Sequence, residues 1–194
     1  MAALVLPIYP APSWMGIDLV TSKNVLAPAY GDGEQEIARK GSRYALTFRM
    51  PVMPYFRSME WDDLMAEGDT VVMKVHQPGF NTGAPGVPLV NGAGQSGSSL
   101  IIDGLTPSYA IRKGQFLSVI TGGRRFLYRA RATATANSSG QATVPLRTML
   151  RTSPADNSTV EIAQPMIEGF VRDLGEWAVG IDRLVGLQFT VRER

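Results

Sequence analysis

"VNGAGQSGSSL", Val90 to Leu100, is the stretch on which the fold class turns. It spells G-x-G-x-x-G at Gly92, Gly94 and Gly97 behind an apolar "VPLV", the outline of a dinucleotide-binding turn in a doubly wound α/β protein. That chemistry needs a strand before the turn and a helix opening on its last glycine, whose free amides meet the pyrophosphate. It also needs an acid about twenty residues on, for the ribose hydroxyl. Here Ser98-Ser99-Leu100-Ile101-Ile102-Asp103-Gly104 follows, adjacent isoleucines running into Asp-Gly, which reads as a short strand entering a turn. The downstream position, Ile111 to Phe116, offers Arg112 and Lys113 but no acid. The glycines are therefore expected to supply positive φ and tight turns. No nicotinamide cofactor is expected, and the fold class is expected to be mainly β.

A chain of 194 residues has room for one domain or two small ones and buries a real core without staples. It has no cysteine, which removes thiol catalysis, disulfide scaffolds and Cys-type zinc sites. The opening "MAALVLPIYPAPSW" lacks a basic start and is broken by Pro7, Pro10 and Pro12, so it reads as neither a signal peptide nor a membrane span. Asn137-Ser138-Ser139 and Asn157-Ser158-Thr159 match the glycosylation sequon but read here as polar turns. Charge is uneven. Residues 84–165 hold eight basic side chains (Arg112, Lys113, Arg124, Arg125, Arg129, Arg131, Arg147, Arg151) against Asp103, Asp156 and Glu161. The rest of the chain is net acidic, since the whole carries only +2. A basic face on the middle region suits an acidic partner or a phosphate, and equally a solvated arginine-rich surface.

Alternation places Tyr44, Leu46, Phe48 and Met50 on one side of a strand, which Pro51 and Pro54 end. A helix is expected from Ser58 to Glu67, with Ser58 as cap, Glu60, Asp62 and Asp63 near its positive end, and Trp61, Leu64 and Met65 facing inward. Thr70 to His76 returns to strand. Asn81 to Val87, "NTGAPGV", looks like a boundary. Beyond it, strands are expected near Ser99–Ile102, Phe116–Ile120, Arg125–Ala134, Gln141–Leu146 and Thr159–Gln164. Turns at Gly122-Gly123 and Ser138-Ser139-Gly140 separate them, a pattern of small barrels and sandwiches. Leu184 to Arg192 alternates again through Val185, Leu187, Phe189 and Val191, and is expected to pair with the first region's strands.

Little catalytic chemistry is on offer. His76 is the single histidine, beside Lys74 on an expected strand, and no G-x-S-x-G elbow accompanies it. Glu60, Asp62, Asp63 and Glu67 lack the Asp-x-Asp-x-Asp-Gly calcium loop and fit a solvated helix face. Trp14, Trp61 and Trp177 fall in separate contexts, so no stacking platform for single-stranded nucleic acid emerges. No catalytic, cofactor-binding or metal residue is assigned, and no enzyme is expected.

The middle region carries a resemblance. "PLVNGAGQSGSSLIIDGLTPS", "IRKGQFLSV", "ATATANSSGQATV" and "PLRTMLRTSPADNSTVEI" occur in an order similar to that of distal-tail and tail-tip structural proteins of long-tailed (siphovirus-type) bacteriophages. There a VNGAGQTG-like turn precedes DGW-P, a K-x-G-D-F/Y strand, an ATADA-G-ATV hairpin and a PLR-SPADG ending. The resemblance runs from Pro88 to Ile162, over a third of the chain, and the flanking aromatic strand, Trp-bearing helix and final "GLQFTV" also look alike. Leu105 stands where relatives often have tryptophan, and Gln115 where they have an acid.

What the resemblance implies is a tail-tube-like β-sandwich or split barrel with one flanking helix. Residues 1–83 plus 166–194 would form a ring-forming domain, and 84–165 an inserted small β-barrel. The implied role is a structural virion subunit, made in the host cytoplasm. It would form a homo-oligomeric ring, a hexamer by that resemblance, joining the tail tube protein to tail-tip or hub proteins. No membrane or specific nucleic-acid partner is expected. The alternative is a host-surface carbohydrate- or receptor-binding module, for which Tyr109, Phe116, Phe126 and Tyr128 are the candidate aromatics, although the last three sit in expected strands. A third reading, an oligonucleotide-binding barrel, rests only on the middle region's charge. Met1 to Trp14, too proline-rich for a strand interior, is expected to lie as an arm across a neighbouring subunit.

Overall fold

A computed structural model describes residues 3–26, 35–66, 68–180 and 183–194. The chain is mainly β. Before the middle region come β1 (Leu4–Val5), β2 (Trp14–Val20), β3 (Lys23–Leu26), β4 (Gln35–Ala38), β5 (Arg43–Arg49), β6 (Met53–Pro54), helix α1 (Tyr55–Asp62) and β7 (Thr70–Lys74). The middle holds β8 (Gly86–Val90), β9 (Ser99–Leu105), β10 (Ala110–Ile111), β11 (Phe116–Thr121), β12 (Arg124–Arg129), β13 (Ala134–Thr135), β14 (Ala142–Pro145) and β15 (Val160–Glu161). The end adds β16 (Met166–Arg172), β17 (Ala178–Val179), β18 (Leu184–Gly186) and β19 (Gln188–Glu193).

One sheet of six strands, ordered β1-β7-β16-β19-β5-β2, is built from both chain ends. Its register sets Phe189 opposite Phe48 and Val191 opposite Leu46, so the alternating apolar faces of β5 and β19 coincide. Phe48, Phe189 and Trp61 then stack with centroid spacings of 5.5 and 6.2 Å, and Val71, Met73, Ile167 and Val171 complete the core. At Gly169 the sheet tolerates no side chain, because a Cβ would stand 2.1 Å from the Arg192 carbonyl oxygen.

The helix begins earlier than the alternation predicts. Pro54 occupies the N-cap position, and Ser58 sits inside the helix, its hydroxyl donating to the Tyr55 carbonyl at 2.7 Å. Proline presets φ at the start of a helix, a signal read in the sequence only as a strand stop. Glu60 and Asp62 therefore lie in the last turn and Asp63 caps it, at the negative rather than the positive end. Trp61 and Met65 do face the core. Glu67, the expected helix end, lies outside the described residues.

Three small sheets, β12-β11-β15, β14-β9-β8 and β10-β13, surround a second core of Leu100, Ile102, Ile111, Leu117, Val144 and Val160. Gly122 and Gly123, both at positive φ (58° and 70°), turn β11 into β12 as expected. This hairpin is apolar on both faces. Leu117, Val119, Phe126 and Tyr128 enter the second core, while Phe116 and Leu127 enter the first. The free edge of β12 meets carboxylates of the six-stranded sheet. The Arg125 and Leu127 amides donate to Glu168 Oε2 at 3.0 Å and Glu193 Oε1 at 2.8 Å. Glu193 also accepts from the Tyr44 amide at 2.6 Å and pairs with Arg151, while Glu168 pairs with Arg194. Burial pushes the Glu193 carboxyl above the ordinary glutamate range, against the pull of Arg151 and the two amides.

Other boundaries shift. The expected strand Arg125–Ala134 splits into β12 and β13, Thr159–Gln164 shrinks to β15, and Leu184–Arg192 breaks at Leu187 into strands of different sheets. The expected boundary Asn81–Val87 ends inside β8. The N-terminal segment is not wholly an arm. Leu4 and Val5 pair in parallel with Val71 and Val72 of the same chain, and Leu6 is buried in the first core. The strand β2, against β5, was not expected, since Gly16 and Asp18 interrupt its apolar pattern.

Candidate functional site

The glycine-rich turn is filled by its own chain. Gly92, Gly94 and Gly97 have φ of 90°, 79° and 84°, as expected of glycines that serve the backbone. The Gln95 carboxamide nitrogen donates to the carbonyls of Asn91, Gly92 and Ile101, and its oxygen accepts from the Ile101 amide at 2.7 Å. The Gly92 amide, the group a phosphate would want, donates to Asp156 Oδ1 at 2.8 Å. A strand, β8, does precede the turn, but β9 follows it where a nucleotide site needs a helix.

Of the aromatics considered for a sugar site, Phe116, Phe126 and Tyr128 are buried. Tyr109 is half-buried, with its hydroxyl donating to the Thr82 carbonyl at 2.8 Å. The structure does not bring the four together on a surface. Glu60, Asp62 and Asp63 form no metal-holding group among the described residues. His76 is half-buried, with Nε2 unpartnered, and burial, assisted by Lys74, lowers its pKa below the ordinary histidine value.

The structure instead gathers a cleft from parts that are scattered in sequence. Its first chamber, about 450 Å³, is lined by Lys113, Gly114, Arg129, Ala130, Arg131 and Arg147, four cations and no acid. Strand register brings them together. The Arg131 amide donates to the Pro145 carbonyl at 2.7 Å and the Arg147 amide to the Arg129 carbonyl at 2.9 Å, stitching the chain after β12 to the chain after β14. Arg129 is held over the Phe116 ring, 5.2 Å from its centroid, with Nε donating to the Gly114 carbonyl at 2.8 Å. Lys113, Arg131 and Arg147 make no ion pair among the described residues, so their charges face solvent or a ligand.

The second chamber, about 290 Å³, shares Gly114 and Arg129 with the first and is mostly apolar, lined among others by Trp14, Ile17, His76, Phe80 and Phe116. Beneath it Tyr44 meets Phe116 edge-on at 5.4 Å. Its buried hydroxyl has no partner, and burial pushes its pKa up to about 12 despite the opposing fields of Arg147 and Arg129. Cations beside an apolar trough suit a ligand that is anionic at one end and apolar at the other. The sequence signalled the positive excess of 84–165, but not which four cations converge, nor that Trp14 and Phe80 would wall the same cleft. No protein-family model matches the chain, and no curated protein matches it either.

Proposed function

We propose that the chain is a structural subunit of a bacteriophage tail, assembling with copies of itself into a ring at the distal end that joins the tail tube to the tail tip. In this reading residues 1–83 and 166–194 form the ring body, and 84–165 is an inserted small barrel that meets a neighbour. The ordered motifs between Pro88 and Ile162 carry the reading. Their most enzyme-like element, the glycine turn, is closed by Gln95 and Asp156 and so acts as architecture. Two surface features among the described residues are complementary: a basic cleft, and a helix with an acidic end that contributes no residue to that cleft. A head-to-tail contact between such parts must close into a ring or run on as a filament. The alternative, a host-surface binding module, draws less support because Phe116, Phe126 and Tyr128 are interior.

Native mass spectrometry with electron microscopy of the purified full chain tests this. Closed rings of fixed copy number are expected, six by the resemblance alone. A protein that stays monomeric at about 100 μM, the weak end of specific self-association, would overturn the reading.

A further inference from the structure

We propose that the cleft formed by Lys113, Arg129, Arg131, Arg147, Trp14 and Phe80 receives the exposed face of helix α1 from a second copy of this chain. This deepens the self-assembly reading above and rests on it.

The helix has the matching chemistry. Phe56 and Met59 are 72% and 48% exposed, although one turn away Trp61 is fully buried. Phe56, Met59, Glu60 and Asp63 lie at i, i+3, i+4 and i+7, one face of the helix, because Asp63 keeps helical angles (φ −61°, ψ −19°) past the last turn. That face is apolar at its start and acidic at its end. The acids stand at the negative pole of the helix, with no basic residue in the last turn. They are therefore unfavourable at that pole of their own helix, and cations brought by a neighbour would relieve them.

The cleft offers the complement in the same sequence, an apolar chamber followed by a chamber of four cations. Phe56 and Met59 match the trough beside Trp14, Ile17 and Phe80. Glu60 and Asp63 match Lys113, Arg131 and Arg147. One turn of helix rises about 5.4 Å, so the apolar and acidic ends fall in neighbouring chambers. The same chain cannot make this contact, since α1 rests on β6 and β18 and contributes no residue to the cleft. The contact is heterologous, the kind that closes rings.

Charge reversal tests it without disturbing either core, because Arg131, Arg147, Glu60 and Asp63 are all exposed. Sedimentation equilibrium should show the R131E/R147E protein and the E60R/D63R protein each associating at least about tenfold more weakly than the natural chain, with unchanged circular dichroism. Mixed in equal amounts they should associate again, since the acidic helix of one meets the basic cleft of the other and the reversed pair also matches. Phe56→Ser should weaken association independently of salt, whereas the natural contact should weaken as salt rises. Closed rings that persist in both reversed variants would overturn the contact and leave the ring reading standing. Open chains that respond to reversal and to mixing would support the contact and remove the closed ring. A natural chain that stays monomeric removes both.

Discussion

Around Phe48 and Phe189 a sheet of six strands shares one core with a single helix, whereas around Leu117 and Ile102 three sheets of two or three strands share another. In the first region the alternation of long strands fixes which face is buried, and the register follows from matching those faces. In the second, β10, β13 and β15 are only two residues long and β14 four, and the turns between strands help to fix the register. Gln95 makes four hydrogen bonds inside the glycine turn, and Asn137 Oδ1 accepts from the Ser139 and Gln141 amides in the next. The difference teaches where each region is vulnerable: the first to loss of volume, the second to loss of a single polar side chain, and their junction to loss of a buried charge.

The largest expected effect falls on the first region. Trp61→Ala removes a fully buried indole and should cost about 3–5 kcal/mol, whereas Trp61→Phe should be far milder because the indole N–H has no partner. Denaturant unfolding gives the magnitude, and hydrogen exchange tests its location. Loss of protection should concentrate in β5, β7, β16 and β19, with β9 and β14 spared. Equal loss in both regions would mean that the cores are one cooperative unit.

Next comes the junction. Glu193→Gln leaves Arg151 without its counter-charge and at least one of the Tyr44 and Leu127 amides without an acceptor, a loss of about 3 kcal/mol. It should also separate the regions, turning one melting transition into two in calorimetry. A single transition at an unchanged midpoint would show that apolar contact through Phe116 and Leu127 is sufficient to join them. In the second region Gln95→Ala should cost about 1–3 kcal/mol, since the Ile101 amide loses its acceptor and the Asn91 and Gly92 carbonyls lose this donor, while the Ile101 carbonyl keeps the Asn91 amide. Its signature is faster exchange confined to residues 91–101.

These contrasts also explain what was legible in the sequence. Tyr44, Leu46, Phe48, Val185, Leu187, Phe189 and Val191 announced themselves by period two, and all are buried. The glycine turn was legible because the residues after Gly97 left no room for a helix. The strand β2 was not, as Gly16 and Asp18 break its pattern and Ile17 is exposed at the sheet edge. The start of α1 was missed because Pro54 does two things at once, ending β6 and capping the helix. The cleft was illegible for a different reason. Its cations come from the β10–β11 turn, from the last residue of β12 and from the chain following β12 and β14, and only strand register, which composition does not encode, brings them face to face.

The smallest effect probes the ring packed edge-on against Phe116, a residue of that cleft's wall. Tyr44 has its ring between the two regions and its hydroxyl buried without a partner, so Tyr44→Phe should change stability at neutral pH by no more than about 1 kcal/mol, and in the stabilising direction. The pH dependence is the sharper reading. An acid whose pKa is raised from 10.0 to about 12 on folding holds its proton more tightly in the folded state. Ionisation of the unfolded chain then favours unfolding, so this contribution is complete below pH 10 and is lost as pH rises towards 12. The variant lacks the group and escapes that loss. Its advantage in melting temperature should therefore be small at about pH 8 and grow above pH 10, while the other tyrosines and lysines titrate equally in both proteins. Parallel melting curves across the alkaline range would mean that the Tyr44 hydroxyl reaches water through the cleft. The chamber between Arg129 and Arg147 would then extend down to it, and the ligand face of the cleft would include a phenol as well as four cations.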